Sequence, residues 1–203
     1  IVKTAGIPAR FLRSKISALR SGRANLDRIV EPYVARFHPM HHDSQRLVAN
    51  KTQSDEFALP HCNGDIIGIY GAEDRPDSDQ ILKVVDHFLA APANVGCVQG
   101  YLDFYNSRSN WLSRCFTIEY VTWFRVLLKG IQNMGLPIPL GGTTVFFRRS
   151  ILEKFGGWDA HNVTEDADLG MRLARFGYRC EMVNTTTWEE ANNIPLAWIR
   201  QRS

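Results

Sequence analysis

The chain has 203 residues, 44% of them apolar and 22% charged, with a formal net charge of +3. That is enough chain for one domain with a proper core, and so small a charge, with Lys and Arg spread along the sequence, gives no indication of a nucleic-acid partner. No apolar run approaches the ~20 residues of a membrane span and nothing resembles a signal peptide, so the sequence as it stands does not cross a bilayer.

The first 50 residues are weakly patterned. A helix is expected over Pro8–Leu19, within a basic opening (Lys3, Arg10, Arg13, Lys15, Arg20, Arg23) that reads as a solvated face more readily than as a lipid-binding one. His41 and His42 lie in a His/Pro loop at 38–42, but neighbours in an extended chain point to opposite sides, which disfavours a shared metal. Cys62, Cys97, Cys115 and Cys180 form no CxxC pair and no zinc spacing with the histidines, so reduced, buried thiols and a cytosolic setting are expected.

From Lys51 the pattern sharpens. A short helix is expected over Gln53–Leu59, then a turn at Asn63–Asp65. Ile66–Tyr70 is short, β-branched and bounded by turn residues, as for a strand buried on both faces of a parallel sheet. Further helices are expected at Ser78–Ala91, Trp111–Ile131, Glu165–Phe176 and Pro195–Ser203, and strands near Val95–Leu102, Thr143–Phe147 and Arg179–Asn184. Strands alternating with helices indicate an α/β fold. The sequence begins inside an apolar stretch and stops inside an expected helix, and so reads as a fragment.

Three constellations carry chemistry. Gly71–Asp77 places Glu73, Asp74 and Asp77 just after a buried strand, where open α/β sheets bind ligands and where Mg²⁺ is held by one or two carboxylates plus phosphate oxygens. The same acids also suit a solvated turn with Asp77 or Ser78 as N-cap. Asn162 and Glu165 have capping-box spacing, and Gly177 ends the helix that follows; a carboxylate there is either a cap or a base for a bound hydroxyl. On the helix from Trp111, Arg114, Arg125 and Lys129 fall within about 60° of one another at 3.6 residues per turn, a cationic stripe that suits a membrane interface or the wet edge of a core helix. Glu119 lies off that stripe and is expected to face the site or a partner charge.

The ordered set Tyr70–Pro76, Gln99-Gly100, Gly141–Thr144 followed by Phe146–Arg149, Gly156–Asp159, Thr164-Glu165-Asp166 and Gln201-Arg202-Ser203 resembles processive family 2 glycosyltransferases such as cellulose synthases, over roughly residues 51–203. The resemblance implies a GT-A fold, a mixed or parallel Rossmann-like sheet flanked by helices, in one catalytic domain of an integral membrane protein at the cytoplasmic face. It implies inverting transfer of a sugar from a UDP- or GDP-sugar to a growing β-glycan or other glycan acceptor. Asp166 matches the general base, with Thr164 and Glu165 beside it. Glu73 and Asp74 match the holders of Mg²⁺ or Mn²⁺. Gly142, Thr143 and Thr144 match the acceptor end, and Gln201 with Arg202 a motif that contacts donor or acceptor. The family's metal motif begins with Asp where this sequence has Gly71, which keeps open a catalytically disabled sugar-nucleotide-binding domain. A metal-dependent hydrolase or nucleotidyltransferase using the same acids is the other alternative.

Overall fold

The computed structural model describes residues 5–7, 59, 64–71, 73–157 and 164–202. The helix expected over Pro8–Leu19, the histidine loop, Cys62, Asn162 and, apart from Leu59, the helix over Gln53–Leu59 lie outside the described residues.

The strands are β1 (Ala5–Ile7), β2 (Ile66–Ile69), β3 (Arg75–Pro76), β4 (Val95–Phe104), β5 (Val145–Arg148) and β6 (Arg179–Glu189), and they form one sheet in the order β1-β2-β5-β4-β6-β3. β2 is buried along its whole length, as its apolar run requires, but both its neighbours are antiparallel: β1 pairs Ile7 with Ile66, and β5 pairs Arg148 with Ile66. The expectation of a parallel environment is corrected here. A strand covered on both faces has the same continuous apolar sequence whatever direction its neighbours run. The sheet is mixed, with β4 and β6 as its parallel pair. Because β5 runs against both β2 and β4, the carboxyl ends of β2, β4 and β6 share one edge.

Side chains alternate between two cores. On one face Ile66, Tyr70, Val98 and Phe146 meet Val84, Val85 and Phe88 of α1 (Gln80–Ala90). On the other, Ile67, Ile69, Val145 and Phe147 meet Phe124 and Leu128 of the long helix and Leu169 and Leu173 of a later one. The long helix comprises α2 (Trp111–Val121), a π-helical turn (Thr122–Leu127) and α3 (Leu128–Asn133). Asn110 and Ser113 cap its start reciprocally.

The π turn, in which the Leu128 amide donates to the Trp123 carbonyl five residues back, alters the expected cationic stripe. Arg125 turns onto the sheet, 3.4 Å from Asp103 Oδ2 and 3.1 Å from Thr186 Oγ1, with its guanidinium 4.7 Å from the Tyr101 ring centre. Arg114 remains exposed. A stripe at a constant 3.6 residues per turn needs an unbroken α-helix, and the π turn breaks that count.

After β5 come α4 (Arg149–Lys154) and α5 (Glu165–Arg175). α5 ends as expected: Gly177, at φ 81°, donates to the Ala174 carbonyl and Tyr178 to that of Leu173, a paired closure of the last turn. α6 (Pro195–Arg202) completes the described chain. The three described cysteines are free thiols; Cys97 is buried, Cys180 half-buried and Cys115, against expectation, exposed on α2.

Candidate active site

The acidic turn leaves the carboxyl end of β2 and is fastened at both ends. β3 pairs with β6 through Arg75 and Trp188. Asp77, expected as a helix cap, instead accepts from the Thr186 amide at 2.9 Å and from Trp188 Nε1 at 3.1 Å. Asp79 takes the N-cap position of α1 without a side-chain cap bond and pairs with Lys83 at 3.0 Å. β6 offers Asp77 two donors at once, which outcompetes a single amide in its own turn.

Between these anchors the Gly71 amide donates to Asp74 Oδ2 at 2.6 Å, and the Thr143 hydroxyl donates to the same oxygen. Glu73 is exposed. Asp74 Oδ1 is buried and has no hydrogen-bond partner among the described residues. A buried acceptor left so costs about 1–3 kcal/mol, which makes this oxygen a feature of the turn that fits a hard cation. Among the described residues no three acids, histidines or cysteines cluster around a metal. One or two carboxylates completed by phosphate oxygens is nevertheless the usual way of holding Mg²⁺. Tyr70, beneath the turn, has its phenol pushed well above its ordinary range by burial and by the charge of Asp74; it donates to Gln80 Oε1 at 2.5 Å and stays neutral.

The second wall is the loop 141–144. Gln99, fully buried on β4, clamps it: Nε2 donates to the carbonyls of Thr143 at 2.9 Å and Thr144 at 3.1 Å, and Oε1 accepts from the Gly141 amide at 2.9 Å. Thr144 sits at φ 57°, a left-handed conformation that costs a β-branched residue about 1–3 kcal/mol. Besides the bond from Gln99, two backbone bonds hold it there, from its amide to the Ile69 carbonyl at 2.9 Å and from the Gly100 amide to its carbonyl at 2.8 Å. Gly100 is glycine for space: a Cβ would lie 2.5 Å from Thr144 Cγ2. Thr144, expected at the acceptor end, is fully buried, so what it contributes is the shape of the loop.

A cavity of ≈ 550 Å³ opens beside this loop, with Gly141, Gly142 and Thr143 on one side and Glu119, Trp123 and Leu127 on the other. Glu119 therefore faces the site, one of the two places expected of it. A second cavity of ≈ 420 Å³ lies at the carboxyl ends of β4 and β6, among Phe104, Tyr120, Glu189 and Asn193. Thr164 stands at the N-cap of α5 without a side-chain cap bond, Glu165 and the half-buried Asp166 open the helix, and Gln201 and Arg202 close α6. Burial above all, then Cys180 and the Asp166 carboxylate, push the Cys97 thiol up.

The structure thus brings Asp74, Gly71 and Thr143 together. Sequence reasoning missed the clamp by Gln99 and the inward turn of Arg125. Gln99-Gly100 was visible as a motif, but its role depends on a loop more than forty positions away.

The sequence pattern of the family described as glycosyl transferase family group 2 matches residues 66–203. Among curated proteins the chain is similar to the probable glycosyltransferase YdaM of Bacillus subtilis (30% identity over 70% of this chain and 34% of that protein) and to the beta-monoglucosyldiacylglycerol synthase of Trichormus variabilis (30%, over 64% and 27%). It is also similar to a probable glucomannan 4-beta-mannosyltransferase of Oryza sativa (27%, over 60% and 21%). The chain therefore spans about a third or less of the length of these relatives. Among solved structures, the mannosyltransferase PcManGT of Pyrobaculum calidifontis, in complex with GDP-Man and Mn²⁺, superposes with a TM-score of 0.56 at 23% identity, over 76% of this chain and 41% of that one. That likeness bears on the fold, which is the GT-A arrangement. With the family's pattern running from β2 through α6, the chain belongs to glycosyl transferase family group 2.

Proposed function

We propose that the chain is the single catalytic domain of a membrane-associated glycosyltransferase that moves a sugar, with inversion, from a UDP- or GDP-sugar to a glycan acceptor. The observation that carries this reading is the bond from Thr143 to Asp74, which joins segments 69 positions apart at the carboxyl edge of the sheet, beside the large cavity. Open α/β sheets bind ligands at that edge. The donor diphosphate lies over the acidic turn, and the acceptor enters the cavity walled by Gly142 and Thr143. Asp166, with Thr164 and Glu165 around it at the start of α5, takes the proton from the attacking hydroxyl, on the face opposite the leaving diphosphate. Gln201 and Arg202, in the last turn of α6, are the residues for contact with the donor or the acceptor terminus.

Asp74 and Glu73 would hold Mg²⁺ or Mn²⁺, which when bound neutralises charge developing on the leaving diphosphate. The PcManGT complex contains GDP-Man and Mn²⁺, and this supports the same donor class here.

No helix among the described residues is long and apolar enough to cross a membrane. Association through the long helix is supported by its exposed apolar side chains, Trp111, Ile118 and Val126. An apolar helical face with tryptophan suits the headgroup boundary at the cytoplasmic side.

The test is a donor screen on the full-length protein in membranes, with labelled nucleotide sugars, Mg²⁺ or Mn²⁺, and a chelator arm. Chelator-sensitive incorporation of one sugar into a larger product is expected. Release of free sugar at a rate indifferent to acceptor would favour a hydrolase, and nucleotide binding without transfer would favour the disabled domain suggested by Gly71.

A further inference from the structure

The two walls of the ≈ 550 Å³ cavity differ in chemistry. Gly141, Gly142 and Thr143 present backbone and one hydroxyl. The facing wall is the long helix, where Trp123, Phe124 and Leu127 present two rings and a branched alkyl group, all from the π turn. Such turns give up regular helical bonding and recur at functional sites. Gly141 leaves this wall its space, since a Cβ there would lie 3.1 Å from Phe124 Cζ. Trp123 and Leu127 are 41% and 46% exposed, so the apolar wall reaches the surface of the helix that also exposes Ile118 and Val126. Among the described residues that line the cavity, Glu119 carries the one charge.

We propose that the acceptor is an uncharged amphiphile, a sugar head on a hydrocarbon chain, with its head at the Thr143 wall and its chain along Trp123 and Leu127. The proposal rests on the glycosyltransferase reading and names the acceptor class for it. A free oligosaccharide carries hydroxyls on every edge, and each one buried without a partner costs free energy. Against the helix wall those hydroxyls would meet carbon, whereas a hydrocarbon chain gains by leaving water there. A space of this size, lined mainly by apolar groups with a few polar ones to orient the ligand, suits such a molecule. Glu119 sets the charge of the head: a phosphate-bearing lipid would bring like charge against its carboxylate, and a neutral sugar does not. Thr143 sets which end reacts, because it also bonds the acidic turn beneath the donor. In the transfer, the head's hydroxyl oxygen bonds to the anomeric carbon as the bond from that carbon to the diphosphate oxygen breaks. The hydroxyl proton passes to Asp166, and the products are the glycosylated amphiphile and the nucleoside diphosphate.

The experiment uses the full-length protein in uncharged detergent micelles, with the nucleotide sugar that the donor screen identifies and alkyl β-glucosides from methyl to octyl as acceptors. For the wild type, kcat/KM is expected to rise by up to about fourfold for each methylene until the cavity is filled. Octyl phosphate is expected to accept poorly beside octyl glucoside. Partition into the micelle is common to wild type and variants, so the variants isolate the cavity. Leu127→Glu is expected to raise KM for octyl glucoside about tenfold or more while KM for methyl glucoside holds. Trp123→Gln, a second variant, moves the same way, with melting temperatures recorded for both; the wild-type series decides even where a variant does not fold. The double change Ile118→Glu and Val126→Glu, outside the cavity, is expected to keep the dependence on chain length. Equal use of methyl and octyl glucoside overturns the proposal and leaves the glycosyltransferase reading intact. So does preference for a free oligosaccharide or for octyl phosphate, or a dependence on chain length that is unchanged in the folded cavity variants. Loss of that dependence in the double variant overturns it in favour of the membrane surface, and transfer to no acceptor overturns both readings.

Discussion

Asp74 and Asp166 are both carboxylates near helix or strand ends, yet the roles proposed for them separate in a measurable way. A base acts on the acceptor hydroxyl and touches no phosphate, so Asp166→Asn in the full-length protein is expected to abolish transfer while donor affinity stays close to wild type. Single-turnover transfer and equilibrium donor binding, measured side by side, check this; parallel loss of both would assign Asp166 to donor binding. Gln99 offers a structural contrast. It is buried, touches no solvent, and holds Gly141, Thr143 and Thr144 through one amide group. Gln99→Leu conserves volume but strands several backbone groups, so a loss of about 2–4 kcal/mol is expected, read as a lower urea midpoint at unchanged slope. The strained Thr144 makes this site especially sensitive, since its left-handed backbone persists only while its neighbours hold it.

At the scale of elements, the long helix combines two functions on two faces. Phe124 and Leu128 anchor it to the sheet, and Trp123 and Leu127 wall the cavity. Ile118 and Val126, 67% and 61% exposed, contribute little to the core. The double change Ile118→Glu and Val126→Glu is therefore expected to leave thermal stability within about 0.5 kcal/mol of wild type, while reducing co-sedimentation of the chain with lipid vesicles. Retained vesicle binding would show that this face is not the membrane contact. This helix also marks the limit of what could be read from the sequence. Its existence was legible from the apolar spacing of Trp111–Ile131, but the π turn was not, because nothing in Thr122–Leu127 distinguishes a five-residue reach from a four-residue one. β2 was legible from its β-branched run, and strands were also expected over most of β4 and β5 and the first part of β6, whereas β1 and β3 span three and two residues and carry no readable period. The acidic turn and the Thr143 loop were both visible as motifs. Their meeting at Asp74 Oδ2 was not, since only the antiparallel pairing of β2 with β5 brings them together.

For the whole molecule, that meeting has a thermodynamic consequence. The turn at 71–74 and the loop at 141–144 are continuations of β2 and β5, adjacent central strands of the sheet, so a ligand that bridges them engages the fold and not a detached flap. Binding to the folded state alone stabilises by about 2.7 kcal/mol at a ligand concentration one hundred times Kd. For a domain of roughly 150–250 residues each kcal/mol raises Tm by about 2–4 °C. GDP or UDP with Mn²⁺ at that saturation is accordingly expected to raise Tm by about 5–10 °C, and chelator to reverse most of the gain, in a calorimetric scan of the full-length protein. The size of the effect separates the alternatives at this scale. A rise that survives chelation would mean the diphosphate is held by protein donors alone and Asp74 Oδ1 has some other partner, whereas a metal-dependent rise would tie the orphaned oxygen, the glycine beside it and the donor to one site.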